Sequence, residues 1–521
     1  MDFSTSYKFE RPPIFGKNMV ASSQPLATQA GLKILEKGGN AIDAVIAAAA
    51  VLTVVEPTGN GLGSDANAII FDGKKIQAIN GTGYSPAGWT TKRFSLMKKM
   101  PLFGWDSVTV PGAVKLWWHL SKRFGRMSFP DLFESAIYYA TNGYTVGSKI
   151  AYEWSRYIHY IKNPSESFKE EFYPPPKVGN MVMRTNLAGT LEEIATTGYH
   201  SFYEGAIASE IVNQSNQEGG VMSIDDLAAH DSEWITPIRV GFRHVEMLEM
   251  PPNTQGIYAL VALGILNYLP IAELDSTDFY HYQIEAMKLS FNLCEKFIGD
   301  PDFIEFRFDD HFNSDALSAY AAQINRSANS ICRFSPDESK DTVYLAAADA
   351  SGFMASFIQS NYLGFGSGVV INNRGIALQN RGAGFSLEPG SPNRVGPRKR
   401  PFHTIIPGMV TEDGRPLMVF GVMGGPMQAQ GHLQLLDRVI THDLNPQAAC
   451  DAPRWQVTEG GDVIVESTFP NEIARELVSR GHSISYETDT LLFGGAQVIK
   501  KFKEGYVAGS DPRKDGCAAG F

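Results

Sequence analysis

Apolar positions along the chain change their period twice. The stretch "PLATQAGLKILEKGGN" (25–40) repeats them at helical spacing, with Pro25 where a helix begins and Gly38-Gly39 where it stops. "AIDAVIAAAAVLTVV" (41–55) is apolar all round, too short to span a bilayer and interrupted by Asp43, which predicts a helix buried on every side and ending before Pro57. A glycine-rich loop then leads into two apolar runs separated by "FDGKK", a β-hairpin within 58–81. Residues 110–330 read as mostly helical, with loops at "NPSES" and "YPPPK" and the best amphipathic helix at 278–297. From 341 the texture turns to strands: "DTVYLAAAD" and "FMASFIQSNY" flank "ASG", "GVVINNRGIALQN" follows, and 405–422 pairs two strands around Asp413-Gly414. No fixed repeat, low-complexity tract or interdomain linker interrupts this order. Helices first and a strand-rich end predict helices packed outside a central pair of sheets.

Composition narrows the partners. The chain has 521 residues, 43% hydrophobic and 19% charged, as in an ordinary globular protein. A net charge of −11 argues against nucleic acid or an anionic membrane as the partner. Cys294, Cys332, Cys450 and Cys517 lie far apart and form no CxxC pair, so neither a zinc site nor a disulfide framework is expected. The N-terminus carries no apolar run, and a cytoplasmic location is the default expectation.

Local motifs exclude more than they establish. "GNGLGSDANA" (59–68) lacks both phosphate-cradle spacings and reads as a tight turn between a helix and a strand. There is no HExxH and no ligand spacing among the histidines, so no metal and no cofactor are expected. GxSxG is absent as well. The Gly-Gly of "MGGP" (423–426) follows an apparent strand; two successive N–H groups there can face one oxygen, although Gly-Gly is more often just a turn. "RVGPRKRP" (394–401) reads as a solvated loop or an anion-binding rim. Thr342 alone is an ordinary strand former. Cut in front of it, however, and its new α-amine becomes a base beside its own hydroxyl, with a pKa of about 7.7–8. Such a nucleophile needs no triad.

The order of longer segments is more specific. "MVASSQPLATQAGLKILEKGGNAIDA", "VVEPTGNGLGSDA", "MPPNTQGIYAL", "YHYQIEAMKLSF" with "IGDPDF", "VGPRKRP", "MGGP" and "GSDPRKDGCAAGF" resemble the γ-glutamyltransferase family of N-terminal-nucleophile hydrolases over nearly the whole chain. The resemblance implies a four-layer αββα sandwich made as one precursor. Cleavage at Asp341–Thr342 would give a large chain, 1–341, and a small chain, 342–521, forming one structural domain as a heterodimer; further association of copies is left open. It places the nucleophile on Thr342, the oxyanion hole on the N–H groups of Gly424 and Gly425, and a supporting hydroxyl on Ser360. Hairpin geometry independently agrees. A three-residue loop Ala350-Ser351-Gly352 closed by Asp349 and Phe353 sets Thr342 opposite Ser360 on the same face.

The departures concern the acyl pocket. The family's carboxylate-clamping arginine falls on Thr82, the ammonium-binding aspartate on Gly384 and its glutamine neighbour on Arg381. The asparagine beyond the second hydroxyl falls on Tyr362, and the serine pair on His403 and Thr404. Both charge contacts to a γ-glutamyl group are thus lost, and Arg381 offers a receptor for an anion instead. Gly-Ser-Asp at 63–65 resembles the acylase-like branch. A lid loop is reduced to Arg394, predicting a more open site. The resulting expectation is an autoprocessed threonine amidohydrolase that takes amides of small, carboxylate-bearing acyl groups. A genuine γ-glutamyltransferase acting on glutathione and an unprocessed scaffold protein are the alternatives.

Overall fold

The computed structural model describes residues 11–328, 332 and 341–521. Strands β1 (Ile14–Gly16), β2 (Met19–Ser22), β3 (Asp65–Phe71), β4 (Ile76–Gly81), β5 (Glu233–Ile235), β6 (Ile238–Phe242) and β7 (Val245–Glu249) precede position 341. Beyond it come β8 (Asp341–Ala348), β9 (Met354–Tyr362), β10 (Gly408–Glu412), β11 (Arg415–Val422), β12 (Ala496–Phe502), β13 (Gly505–Ser510) and β14 (Cys517–Gly520). They form two antiparallel sheets of seven strands, ordered β14-β2-β8-β9-β3-β4-β5 and β1-β13-β12-β11-β10-β7-β6. In both, strands from either side of position 341 are hydrogen-bonded neighbours.

Alternation along β8 shows how the layers stack. Val343, Leu345 and Ala347 join the core beneath α1 (Pro25–Glu36), α2 (Ala41–Val55) and α3 (Ala113–Phe124), whereas Tyr344, Ala346 and Ala348 face the second sheet. Gly421 on β11 lets the sheets approach, because any side chain there would strike the Tyr344 ring. The far sheet is covered by α4 (Gly256–Leu266), α5 (Thr277–Cys294) and α6 (Met427–Leu436). Helix, sheet, sheet, helix: the αββα sandwich is present.

Both N-terminal helices start as their sequences dictate. Pro25 occupies the first helical turn of α1, and Asn40 caps α2 in a reciprocal box with Asp43. The expected hairpins are β3–β4, β8–β9 and β10–β11. The middle is mostly helical, as expected, and adds the short strands β5, β6 and β7, whose alternation is too brief to stand out from flanking helical periodicity. One sequence expectation needs correction. "GVVINNRGIALQN" supplies only two-residue strands, Val370–Ile371 and Ile376–Ala377, as its glycines and asparagines leave no longer run to pair. No described helix is long and apolar enough to cross a membrane.

Candidate active site

The β8–β9 hairpin closes through Asp349 N–H to Phe353 C=O (3.1 Å), with Gly352 at φ +92° as the loop requires. Its register runs from Ala348↔Met354 to Val343↔Gln359, then slips, since Asp341 pairs with Tyr362. Ser360 and Asn361 therefore both oppose Thr342, a β-bulge. The freed Asn361 N–H donates to Gly59 C=O (3.0 Å), and Gly59 lies against the Thr342 backbone, where an added Cβ would sit 3.4 Å from its nitrogen. The glycine-rich loop is thus the cradle of Thr342, and the bulge turns Ser360 towards it.

Thr342 Oγ donates to Ser360 Oγ at 3.1 Å. Ser360 Oγ also accepts from Tyr362 N–H and Arg381 Nη2, both at 2.9 Å. Arg381 Nη1 donates to Thr404 Oγ (2.7 Å), and the guanidinium lies 4.6 Å from the Tyr362 ring centre. Thr404 C=O accepts from Gln255 Nε2 (2.6 Å), which also donates to Gly425 C=O (2.8 Å). Gly425 C=O takes the N–H of Gln428 (3.1 Å), whose side-chain Nε2 returns to Thr342 Oγ at 3.5 Å. The hydrogen bonds form a closed circuit through Thr342, Ser360, Arg381, Thr404, Gln255, Gly425 and Gln428.

Gly424 (φ +108°) and Gly425 (φ +57°) adopt backbone that favours glycine. The Gly424 carbonyl accepts from Met427 N–H, so the trans peptide turns Gly425 N–H away from α6. Neither glycine N–H is bonded to an acceptor among the described residues. The turn also ends where α6 begins, and a helix N-terminus favours negative charge. This arrangement can hold an oxyanion.

A second polar pair lies beside Arg381. Asp65 is the cross-strand partner of Ser360 and accepts from Gly83 N–H (3.2 Å), Gly112 N–H (3.1 Å) and His403 Nε2 (3.0 Å). Burial pushes the Asp65 carboxyl up to about 7, against the opposing pull of Arg381 and the two amides. Burial, and then the field of Arg381, hold His403 well below its ordinary value. Its Nδ1 accepts the Ile405 N–H (3.4 Å), so neutral His403 carries its proton on Nε2 and donates it to Asp65.

The residues expected from sequence are not all together. Thr342, Ser360, Arg381, Tyr362, Thr404, His403 and the Gly424-Gly425 turn belong to connected contacts. Thr82 joins them only indirectly: its hydroxyl donates to Asn80 Oδ1 (2.7 Å) and accepts from Asn253 Nδ2 (3.3 Å), a residue whose backbone carbonyl takes the His403 N–H (2.9 Å), while the Thr82 carbonyl takes Arg400 Nε (3.1 Å). An acid at position 384 is excluded unless the chain shifts, since a Cβ there would lie 2.8 Å from Phe402 C=O. The open site expected from the shortened lid loop is not found. Thr342, Ser360, Arg381, His403 and Thr404 are each 0% exposed, and Trp89 and the Ser107 carbonyl pack against Gly382 over the Arg381 turn. The basic run is neither rim nor simple solvated loop. Arg398 is exposed, but Arg400 is buried, with Nη1 on Glu233 (2.7 Å), and Lys399 Nζ binds Pro392 C=O and Arg394 C=O. Gln255, Gln428 and the Asp65–His403 pairing escaped sequence reasoning. Only Gln428 left a visible trace, in "MQAQGHLQ" (427–434), three glutamines and a histidine on one short helix next to Gly-Gly.

Comparison with known proteins gives the family. The γ-glutamyltranspeptidase family model matches residues 27–521. The glutathione hydrolase-like YwrD proenzyme of Bacillus subtilis is 36% identical, over 97% of this chain and 98% of its own. The oxamate amidohydrolase proenzyme of Klebsiella pneumoniae is 32% identical, over 96% and 98%. A crystal structure of cephalosporin acylase from Bacillus halodurans superposes with a TM-score of 0.95 at 42% identity, covering 100% of this chain and 99% of that one. The chain belongs to the γ-glutamyltranspeptidase family.

Proposed function

We propose that the protein is a self-cleaving amidohydrolase whose nucleophile is Thr342 and whose acyl group carries a carboxylate without an α-ammonium. The observation that carries this reading is the guanidinium of Arg381 bridging Ser360 and Thr404, one hydrogen bond from the Thr342 hydroxyl. In the unbroken chain the Thr342 nitrogen is an amide and cannot serve as a base. Attack of Oγ on the Asp341 carbonyl moves the acyl group from nitrogen to oxygen, and hydrolysis of that ester frees the α-amine. The cut chains 1–341 and 342–521 stay together because β8 remains hydrogen-bonded to β2, and β9 to β3.

In turnover, Thr342 Oγ attacks the amide carbonyl and its α-amine takes the proton. The Gly424 and Gly425 N–H groups receive the developing oxyanion, and Ser360 holds Oγ in place. The amine leaves with the transferred proton, and water releases the acyl group. Arg381 forms charge-assisted hydrogen bonds to the distal carboxylate. The family's ammonium-binding aspartate falls on Gly384, which has no side chain to replace it, and this disfavours γ-glutamyl donors. Relatives named oxamate amidohydrolase and cephalosporin acylase support a reading in which the acyl group is not γ-glutamyl. Glutaryl-p-nitroanilide is expected to show a higher kcat/KM than γ-glutamyl-p-nitroanilide; the reverse order would restore ordinary γ-glutamyl transfer as the function.

A further inference from the structure

Helix α6 brings one more group to the nucleophile. Gln428 is fully buried, and its amide orientation is fixed from behind: Oε1 accepts the Ile406 N–H at 3.1 Å. The end facing Thr342 Oγ, 3.5 Å away, is therefore the Nε2 donor. Its backbone N–H simultaneously holds the carbonyl of Gly425 (3.1 Å), so the same residue spans the nucleophile and the oxyanion turn. Hydrogen bonds of this length in an unliganded site shorten as charge develops.

We propose that Gln428 is a further catalytic residue that stabilises Thr342 Oγ when it leaves during deacylation. This rests on the nucleophile assigned above, but not on the identity of the acyl group. In that step water adds to the acyl carbon and gives up a proton to the Thr342 α-amine. The tetrahedral intermediate then collapses, the C–Oγ bond breaks with its electron pair remaining on Oγ, and the α-ammonium returns the proton to Oγ. A donor on Oγ disperses charge at that moment. During acylation Oγ is the attacking atom, and the same donor lowers its nucleophilicity before it helps. Deacylation is therefore the step that depends on it more.

The test uses the self-processed protein and whichever acyl-p-nitroanilide the wild type turns over fastest. Gln428→Met keeps the side-chain volume and removes the donor. Its kcat is expected to fall by roughly 100- to 1,000-fold, as when a site loses one donor to developing charge. A burst of p-nitroaniline near one equivalent should appear, with acyl-enzyme visible by intact mass on the small chain. Gln428→Glu keeps the acceptor for Ile406 and is the companion variant should the methionine disturb folding. Its ionised form cannot donate, whereas its protonated form can, so its activity relative to wild type should recover as pH falls. Loss of self-cleavage in folded variants would also support the role, since the same oxygen reacts there. In variants that do cleave themselves, wild-type kcat, or a loss with neither accumulated acyl-enzyme nor relative recovery at low pH, would overturn it. A wild type that neither cleaves itself nor turns over any amide would instead refute the nucleophile assignment.

Discussion

Helices α2 and α6 are both wholly buried, yet they are built from opposite materials. Every residue of α2 is inside, and its few polar groups serve its ends: Asp43 accepts from Asn40 and Arg126 N–H groups. Helix α6 buries Gln428, Gln430, His432 and Gln434 along ten residues. Each is engaged on both sides. Gln430 exchanges hydrogen bonds with the Val457 backbone (2.7 and 3.1 Å), and Gln434 does the same with Trp455 (3.2 and 2.9 Å). His432 Nε2 accepts from Val422 N–H (3.2 Å) and leaves Nδ1 to donate to Glu249 (2.5 Å). Removing one partner from such a network strands a buried group, so its geometry is specified more narrowly than apolar contact can specify it. The apolar helix fills space; the polar one positions the Gly-Gly turn and Gln428 beside Thr342.

That contrast can be sharpened by substitution. The largest effect is expected on the polar side: Arg381→Met should lower kcat/KM for glutaryl-p-nitroanilide by about 100-fold or more through loss of a charge-assisted receptor. Kinetics with a neutral butyryl analogue should change far less, and an equal loss for both substrates would break the assignment. Next comes the apolar side. Ile46→Ala in α2 should remove about 2–5 kcal/mol of stability. Denaturant titration reads that loss, while kcat/KM of the folded fraction stays at the wild-type value; a selective kinetic defect would mean that α2 does more than pack.

The smallest effect is a pH dependence. Asp65 ionises at about 7 rather than near its ordinary 3.8, because burial disfavours its charge. Below that pH it is neutral and leaves the field of Arg381 stronger. Above it, the added negative charge repels an anionic acyl group. KM for the glutaryl substrate should therefore rise through pH 7, by up to about tenfold if the coupling is worth one pKa unit. Asp65→Asn should flatten that rise, and the butyryl analogue should not show it. The stability sign follows from the same shift. Between its unfolded and folded values Asp65 binds more proton when folded, so it contributes a loss of stability as pH rises from about 4 to 7.

Sequence reading reached different depths in these regions. Helix α2 was legible because all-round apolarity has few interpretations, and the β8–β9 register because a three-residue loop with Gly352 permits few others. The bulge at Thr342 was not legible. It depends on Asn361 turning to Gly59, some three hundred residues earlier in the chain, and no local pattern encodes that partner. Helix α6 was invisible for a related reason: glutamine is an ordinary surface residue until a strand edge such as Val457 is known to face it. Arg381 was expected from its position in the chain to receive an anion, but its bridge between Ser360 and Thr404 could not be read from spacing.

The central claim is that Thr342 becomes a chain terminus. Intact mass under denaturing conditions, on purified wild type beside Thr342→Ala, tests it directly. The account predicts two wild-type fragments, 1–341 and 342–521, and a single full-length chain in the variant. A wild type that remains one chain after prolonged incubation, or a cut elsewhere that persists in Thr342→Ala, would contradict it.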